Sequence, residues 1–521
     1  MDAQVNAEAA DRIDPKRLLA FIAMCFGMFM AFLDIQIVSA SLNEIQAGLA
    51  ASSDEIPWVQ TSYLIAEVIS IPLSGFLARA LGTRTLFAVS AAGFTAASFA
   101  CGFATDINSM IVWRALQGFI GGGMVPTVFA GIYTMFPKSK QPVIVPLVGL
   151  VATLAPTIGP TVGGYLTDAL SWHWLFFINV VPGIVVTLAA LVLIDFDKPD
   201  YRLLDHFDWW GLIAMAGFLG ALEYVLEEGP RKDWFQEDAV YYAAVGSAIS
   251  AVAFFWRAFT AKAPIVDLRA FGDRNFAVGS LFSFVLGIGL YGLTYLYPVY
   301  LAAIRGYNSL MIGETLFITG LTMFMVAPIV GRLAAKYDPR FLLIGGFLSF
   351  AFGTYLMREV TSDWDFWELF WPQVFRGIGL MSSIVPVTNV ALGTLAPERI
   401  KNASGLFNLM RNLGGAIGLA VLTTMLNKRW DLHLARLHDQ ANWSRGAATE
   451  TLANLTARFH DFGSSAQSMA LKQMMLITRQ QAEVLSFADV FLMLTVLFVV
   501  LAAFAIAMKR PAPIAAGSGG H

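Results

Sequence analysis

Fourteen times along this chain, some twenty residues pass with scarcely a charged side chain. A helix rises 1.5 Å per residue, so about 20 apolar residues cross the roughly 30 Å hydrocarbon core of a bilayer. The stretches run roughly over 18–40, 57–78, 86–104, 108–129, 143–165, 174–194, 209–226, 239–258, 276–302, 310–334, 341–357, 367–395, 403–426 and 487–508. They are continuously apolar rather than alternating, so the expected element is the helix and not the barrel strand. Composition agrees, with only 14% of 521 residues charged and a mean hydropathy of +0.63. A soluble protein carries about 25% charged residues. A chain this poor in charge cannot cover a water-facing surface of its size, which excludes an ordinary cytosolic enzyme and a disordered scaffold. A net charge of −3 without a basic stripe excludes a nucleic-acid binder.

Lysine and arginine in the loops orient the spans. With the N-terminus inside, the inside segments carry 20 of the 34 basic residues, from Arg12, Lys16 and Arg17 to Lys509 and Arg510. The short outside loops carry only four: Arg231, Lys232, Arg305 and Arg358. The long outside segment 427–486 carries seven. Both termini are therefore expected in the cytoplasm. The apolar run after Lys16-Arg17, about 23 residues, is too long for a signal-peptide core and is expected to stay as the first anchor. The two cysteines, Cys25 and Cys101, lie inside apolar runs and imply no disulfide framework. Histidines are scattered, so no metal site is expected.

An internal repeat divides the spans. GFLARALGTR (Gly75 to Arg84) follows span 2, and GRLAAKYDPR (Gly331 to Arg340) follows span 10, 256 residues later. Trp113-Arg114 in span 4 and Phe375-Arg376 in span 12 lie 262 residues apart. Near-equal offsets point to a duplicated six-helix bundle with spans 7 and 8 inserted between the copies. The expected architecture is an all-α polytopic membrane protein. It has a cytoplasmic N-terminus (1–17), a first six-helix bundle (18–194) and an inserted two-helix hairpin with linkers (195–275). A second bundle (276–508) contains the long outer segment 427–486, and a cytoplasmic tail (509–521) follows. A binding cavity is expected between the halves near the midplane, the halves rocking about it.

Few ionisable groups fall inside the spans, where each is costly and functional by default. Asp34 in span 1 and Arg114 in span 4 sit at equal depth in the outer half, so they are expected to pair, either for proton coupling or only to fix packing. Glu67 lies almost at the middle of span 2 with no basic residue close in sequence. Such a carboxyl can load and release protons, hold a cationic ligand, or simply bond a neighbouring helix. Glu223, in the outer half of span 7, is a weaker candidate if the hairpin sits at the periphery. Arg376 and Arg411, in spans 12 and 13, either hold the second half together or balance the carboxylates across the cavity. Glu314 and Asp489 lie near outer helix ends and are expected to be structural.

Span 5 reads VGLVATLAPTIGPTVGG. Ala152, Pro156, Pro160 and Gly164 form one smooth stripe, and Gly159 and Gly163 add a small-xxx-small pair. Small residues allow close helix approach and prolines permit bending, which suits a hinge between moving halves or a tightly packed kinked helix. Leu452, Leu455, Phe459 and Phe462 form an apolar helical stripe in the long outer segment, suited to docking on the membrane face or a partner. No GxxxxGK[ST], HExxH or GxSxG motif is present, so neither ATP nor hydrolytic chemistry is expected to drive this chain.

These segments together resemble the major facilitator superfamily, and more closely its 14-span drug:proton antiporters of the EmrB/QacA type, the EmrB-like branch above all. The resemblance is carried by LDIQIVSASLNEIQ (Leu33 to Gln46), IPWVQTSYLIAEVISIPLSGFLA (Ile56 to Ala78) and VWRALQGFIGGGMVP (Val112 to Pro126). It continues in APTIGPTVGG (Ala155 to Gly164), SWHWLFFINVVPG (Ser171 to Gly183), ASGLFNLMRNLGGAIGLAV (Ala403 to Val421) and ITRQQAEVLSFADVF (Ile477 to Phe491). It implies Asp34 at the span-1 acidic position, Arg114 at the span-4 motif arginine, and an antiporter motif in span 5 comprising Pro156, Gly159, Pro160, Gly163 and Gly164. The chain departs from the pattern in the first inside loop. There Arg79 and Ala80 replace an Asp and a basic residue, and Thr83 replaces another basic residue. That departure weakens the case for the charge-relay lock ascribed to the loop.

The resemblance implies a major facilitator fold and a secondary transporter of the bacterial inner membrane. It would use the proton gradient and no cofactor to export small amphiphilic compounds. EmrB-like pumps imply a tripartite assembly with a periplasmic membrane-fusion adaptor and an outer-membrane channel. The alternative is a dedicated proton-coupled exporter of one metabolite, such as a siderophore, fatty acid or antibiotic.

Overall fold

In the computed structural model, residues 14–507 are described except 138, 262 and 441–444. Inside helices, the side chains of residues 142, 153, 156, 157, 309, 335, 397 and 507 are also outside the description. Arg12, Lys138, Lys262, Lys509 and Arg510, which entered the orientation count, and segments 1–13 and 508–521 lie outside the described residues.

Among the described residues the regular structure is all helical, without a strand. Thirteen helices are long and apolar enough to cross a membrane. In chain order these are α1 (Pro15–Ala40), α2 (Trp58–Ala80), α3 (Thr83–Cys101), α4 (Ile107–Met135), α6 (Trp174–Leu193), α7 (Trp209–Glu228) and α8 (Asp238–Thr260). The second half supplies α9 (Arg274–Ala303), α10 (Ser309–Lys336), α11 (Pro339–Leu356), α12 (Phe366–Leu392), α13 (Pro397–Gln440) and α14 (Ala466–Ala507). The fourteenth long helix, α5 (Gln141–Ala169), runs 29 residues and includes the apolar segment Val143–Ala152.

The scarce polar residues mark helix starts. Asp14, Asp106, Asp208, Asp273, Asn308 and Asp338 each cap a long helix by accepting a hydrogen bond from its first turn. Asp365 forms a full capping box with Glu368 at α12. A side-chain oxygen there satisfies amides that the bilayer interface would otherwise leave orphaned. Gly122 and Gly123 interrupt α4 between its segments Ile107–Gly121 and Met124–Met135.

Within the first half, α1 packs along α5 and α6, α2 along α4, and α3 along α4 and α6. The second half repeats the scheme, with α9 on α12 and α13, α10 on α12, and α11 on α12 and α14. The halves meet along two seams, α5 with α10 and α2 with α13. The inserted hairpin is a tight α7–α8 pair tied at its base by Arg257, which donates to Asp208 at 2.8 Å. Its helix α7 packs on both α2 and α13, bridging the second seam. The hairpin therefore does not sit wholly at the periphery. Only α8 does, exposing Val245, Ile249 and Val252.

The segment 427–486 is helical for most of its length and is not a loop in the ordinary sense. α13 has 44 residues and α14 has 42. At 1.5 Å per residue each reaches over 60 Å, about twice what a bilayer core needs, so both extend as a projection from one face. A short helix, Gly446–Arg458, folds back on that projection. The expected docking stripe is consumed there. Leu452 and Leu455 are buried against Ala470 of α14, with Phe459 and Met474 beside them, and Phe462 alone is exposed. Asp489 is held by His433 at 2.8 Å and Arg429 at 3.6 Å, a brace between α14 and α13.

Candidate functional site

Two polar sites lie near each other, one sealed within the first half and one open between the halves. The sealed site joins Asp34 on α1 to Arg114 on α4 at 2.5 Å, and both side chains are 0% exposed. Sequence depth placed these two together, and the structure does so. Two residues not singled out from the sequence complete the carboxylate's shell. Gln117 Nε2 donates to Asp34 Oδ1 at 3.1 Å, and Asn179 Nδ2, from α6, donates to the same oxygen at 2.8 Å. Arg114 donates from Nε to the Val59 carbonyl at 3.1 Å and from Nη1 to Gln117 Oε1 at 2.7 Å. Its guanidinium lies 4.3 Å from the centre of the Tyr63 ring. Ser98 accepts from Asn179 at 3.1 Å and donates to the Phe176 carbonyl at 2.9 Å, anchoring the shell on α3. A buried ion pair persists only when such hydrogen bonds satisfy its remaining valences. Even so, Arg114 Nη2 and Tyr63 Oη have no partner among the described residues.

The open site is a cavity of about 880 Å³ between the halves. Its walls come from α1, α2, α5, α7, α9, α10 and α13, and it extends to the helix ends on the face that bears the projection, reaching Glu44, Asp168, Arg231 and Asn308. Glu67 of α2 and Glu223 of α7 line it, only 5% and 7% exposed. Neither has a hydrogen bond or ion pair among the described residues. Glu67 lies one helical turn from Tyr63, whose ring covers Arg114, so α2 carries both sites. Glu223 reaches the cavity because α7 bridges the α2–α13 seam.

Arg411 of α13, 6% exposed, lines the same cavity. Its Nη2 donates to Asn408 one turn earlier, and its guanidinium lies 4.7 Å from the Phe129 ring of the opposite half. Arg376 is placed differently. It lies inside the second half, donating to Thr294 at 3.0 Å and Gln373 at 3.4 Å, 5.3 Å from the Tyr297 ring. Arg376 and Arg411 face no carboxylate within ion-pair distance among the described residues. Neither therefore pairs with an acid of its own half or across the cavity among the described residues, and Arg376 donates to neutral acceptors, bridging α12 to α9 through Thr294. Thr294 lies 260 residues after Asp34, between the repeat's two offsets. The second half thus keeps the arginine and lacks the acid.

The span-5 motif splits by face. Ala152, Pro160 and Gly164 line the cavity. Gly159 and Gly163 face α1. A Cβ at Gly163 would lie 2.9 Å from the Ile37 carbonyl oxygen, so only a missing side chain admits this approach. Pro156 lies within the helix, and its side chain is outside the description.

Opposite the cavity's mouth the halves are closed. Lys401 at the start of α13 donates to the Ala78 carbonyl at 3.0 Å and pairs with Asp197. Asp197 in turn accepts from Thr83 N at 2.9 Å and from its hydroxyl at 2.6 Å. Ser404 donates to the Pro126 carbonyl at 2.6 Å, and a Cβ on Gly75 would lie 2.9 Å from Asn402 Cα. The departure noted at Arg79, Ala80 and Thr83 is thus answered locally. Thr83 binds Asp197, and Asp197 supplies the acid that the loop lacks.

Two six-helix bundles about a central cavity, with an ion pair sealed in one of them, define a membrane transporter and not an enzyme. Residues 24–419 match the Major Facilitator Superfamily. The chain is 41% identical to the colistin resistance protein EmrB of Acinetobacter baumannii over 97% of this chain and 99% of that one. It is 31% identical to the fatty acid resistance protein FarB of Neisseria gonorrhoeae, covering 96% and 98%. It is 32% identical to the multidrug export protein EmrB of Escherichia coli K12, covering 96% of each. The fold also matches the proton:xylose symporter XylE at a TM-score of 0.60 and 13% identity, covering 94% of this chain and 95% of that one. The chain belongs to the major facilitator superfamily, in its EmrB-like group.

Proposed function

We propose that this chain exports amphiphilic toxic compounds in exchange for protons, and that Glu67 is the carboxyl at which the two exchange. The observation that carries this is the pair of buried carboxylates, Glu67 and Glu223, without partners among the described residues, in a cavity of drug-accommodating size. A proton and a bound substrate compete for such a carboxyl. Protonation from the open side releases the substrate, and the halves then close on that side while the seam that Lys401 and Asp197 hold parts. The sealed Asp34–Arg114 pair reports that exchange to the first half, through Tyr63 on the helix that bears Glu67. The smooth face of α5 and its tight contact with α1 provide the hinge. The relatives' names, colistin resistance and multidrug export, support a broad range of compounds.

The split of basic residues, 20 inside against four in the short outside loops, supports cytoplasmic termini in a bacterial inner membrane. The projection then stands outside and the cavity opens outward. A periplasmic adaptor and an outer-membrane channel complete the pump in this reading, and the projection is the element long enough to meet them. A dedicated exporter of one metabolite is the second reading, favoured by the fatty acid resistance relative. Transport by the reconstituted protein across a pH gradient, over chemically diverse compounds, tests both. Uptake of several unrelated compounds supports the first, uptake of one class supports the second, and no uptake of any refutes both.

A further inference from the structure

The cavity described above carries its charges apart. Glu67 and Glu223 stand on the α2 and α7 wall, and Arg411 stands on α13. None is within 4 Å of an opposite charge among the described residues. A guanidinium has five N–H donors in a planar fork. Among the described residues it makes only one bond to a protein acceptor, from Nη2 to Asn408, and the Phe129 ring lies beside the guanidinium. A cation this deeply buried is normally paired, and the two other buried arginines are more fully engaged: Arg114 by Asp34, Arg376 by Thr294 and Gln373. Unlike those two, Arg411 lines the cavity, with the aromatic ring of Tyr291 nearby on the wall. The Tyr291 hydroxyl is already committed to Asn412 at 3.2 Å.

We infer that Arg411 receives the acidic group of a zwitterionic amphiphile whose cationic end faces Glu67 and Glu223. The inference rests on reading the cavity as the transport site. A carboxylate, phenolate or phosphonate fits the free edge of the guanidinium fork, and the aromatic wall takes the apolar body. The cationic end competes with protons at the carboxylates, which keeps exchange with protons intact. The acidic end does not compete with protons and therefore sets which amphiphiles are preferred. Arg411 thus selects among amphiphiles, and the carboxylates carry the exchange with protons.

One dye scaffold isolates the acidic group. Rhodamine B has a xanthylium cation and a free carboxylate, and its ethyl ester keeps the cation and loses the acid. Binding of each to the purified full-length protein is measured by fluorescence polarisation for the wild type and Arg411→Gln. The wild type is expected to bind the free acid about tenfold more tightly than the ester, or about 1.4 kcal/mol. In Arg411→Gln that ratio falls to about one while the ester's affinity stays within about twofold. Benzoate titrated onto the wild type removes the acid's advantage without displacing the ester, a reading that needs no variant. A wild type with no preference for the acid, a ratio unchanged in Arg411→Gln, a proportional loss of both dyes, or equal displacement by benzoate each overturns the inference. Binding of neither dye to the wild type overturns it together with the reading of the cavity. Ester binding without acid preference overturns it alone.

Discussion

Neutralising one member of the sealed pair and then both separates packing from coupling. Asp34→Asn leaves Arg114 charged and 0% exposed with no counter-charge. Removing one partner of a buried pair costs about 3–5 kcal/mol. The amide oxygen still accepts one hydrogen bond, so the low end, about 3 kcal/mol, applies. If the first six-helix half melts as a unit of about 150–250 residues, each kcal/mol moves Tm by about 2–4 °C. Asp34→Asn and Arg114→Gln are therefore each expected to lower the detergent melting temperature by about 6–12 °C. The double variant, in which no buried charge is stranded, is expected to regain more than half of that loss. Melting is followed by size-exclusion fluorescence after heating, and the same preparations are assayed for pH-gradient transport. Additive losses in the double variant would refute the electrostatic reasoning. A stable double variant that transports normally would show that the pair only fixes packing.

Three further outcomes follow from particular contacts. Gly163→Ala, whose Cβ would meet the Ile37 carbonyl at 2.9 Å, is expected to cost about 1–3 kcal/mol by thermal unfolding. Gly246→Ala, with nothing within 4 Å, is expected to be neutral or stabilising, and equal effects at the two sites would contradict the close-approach argument. Lys401→Ala removes a cross-half pair whose side chains are each 15% exposed, worth about 1 kcal/mol. A cysteine replacing Ser404, in a background without Cys25 and Cys101, is then expected to react with maleimide about fivefold faster. An unchanged rate argues against Lys401 as a latch. Thr294→Asp sets a carboxylate beside Arg376, now 3.0 Å from the threonine hydroxyl, and is expected to raise the melting temperature by a few degrees. A lower melting temperature contradicts the reading of Arg376 as an uncompensated cation.

The apolar runs and the basic-residue asymmetry made the helical membrane fold legible, because bilayer thickness and backbone hydrogen bonding leave few alternatives. Asp34 and Arg114 were legible as a pair because charge is rare in a span and depth follows from residue count. Asn179 and Gln117 were not. A neutral amide in a span carries no comparable signal, and its partner here lies 145 or 83 residues away in sequence. Gln117 did carry a hint, standing one helical turn from Arg114 on the same face. The place of Glu223 is not legible in the sequence, because no periodicity tells where an inserted hairpin packs; the contacts of α7 with α2 and α13 bring it to the cavity. Likewise, the run 427–486 reads as a loop by its charge, while its helices continue α13 and α14 past the membrane. The latch at Asp197 was hidden for a similar reason. The acid that the loop lacks comes from beyond span 6, over 100 residues on.

Exchange of a proton for substrate at Glu67 within the cavity is open to direct measurement. Proteoliposomes containing the wild type or Glu67→Gln, loaded with a pH-sensitive dye, measure proton movement when a transported substrate is added. Substrate-induced proton release is expected in the wild type and is lost in Glu67→Gln, with substrate binding still detectable. Undiminished proton release from Glu67→Gln would contradict it.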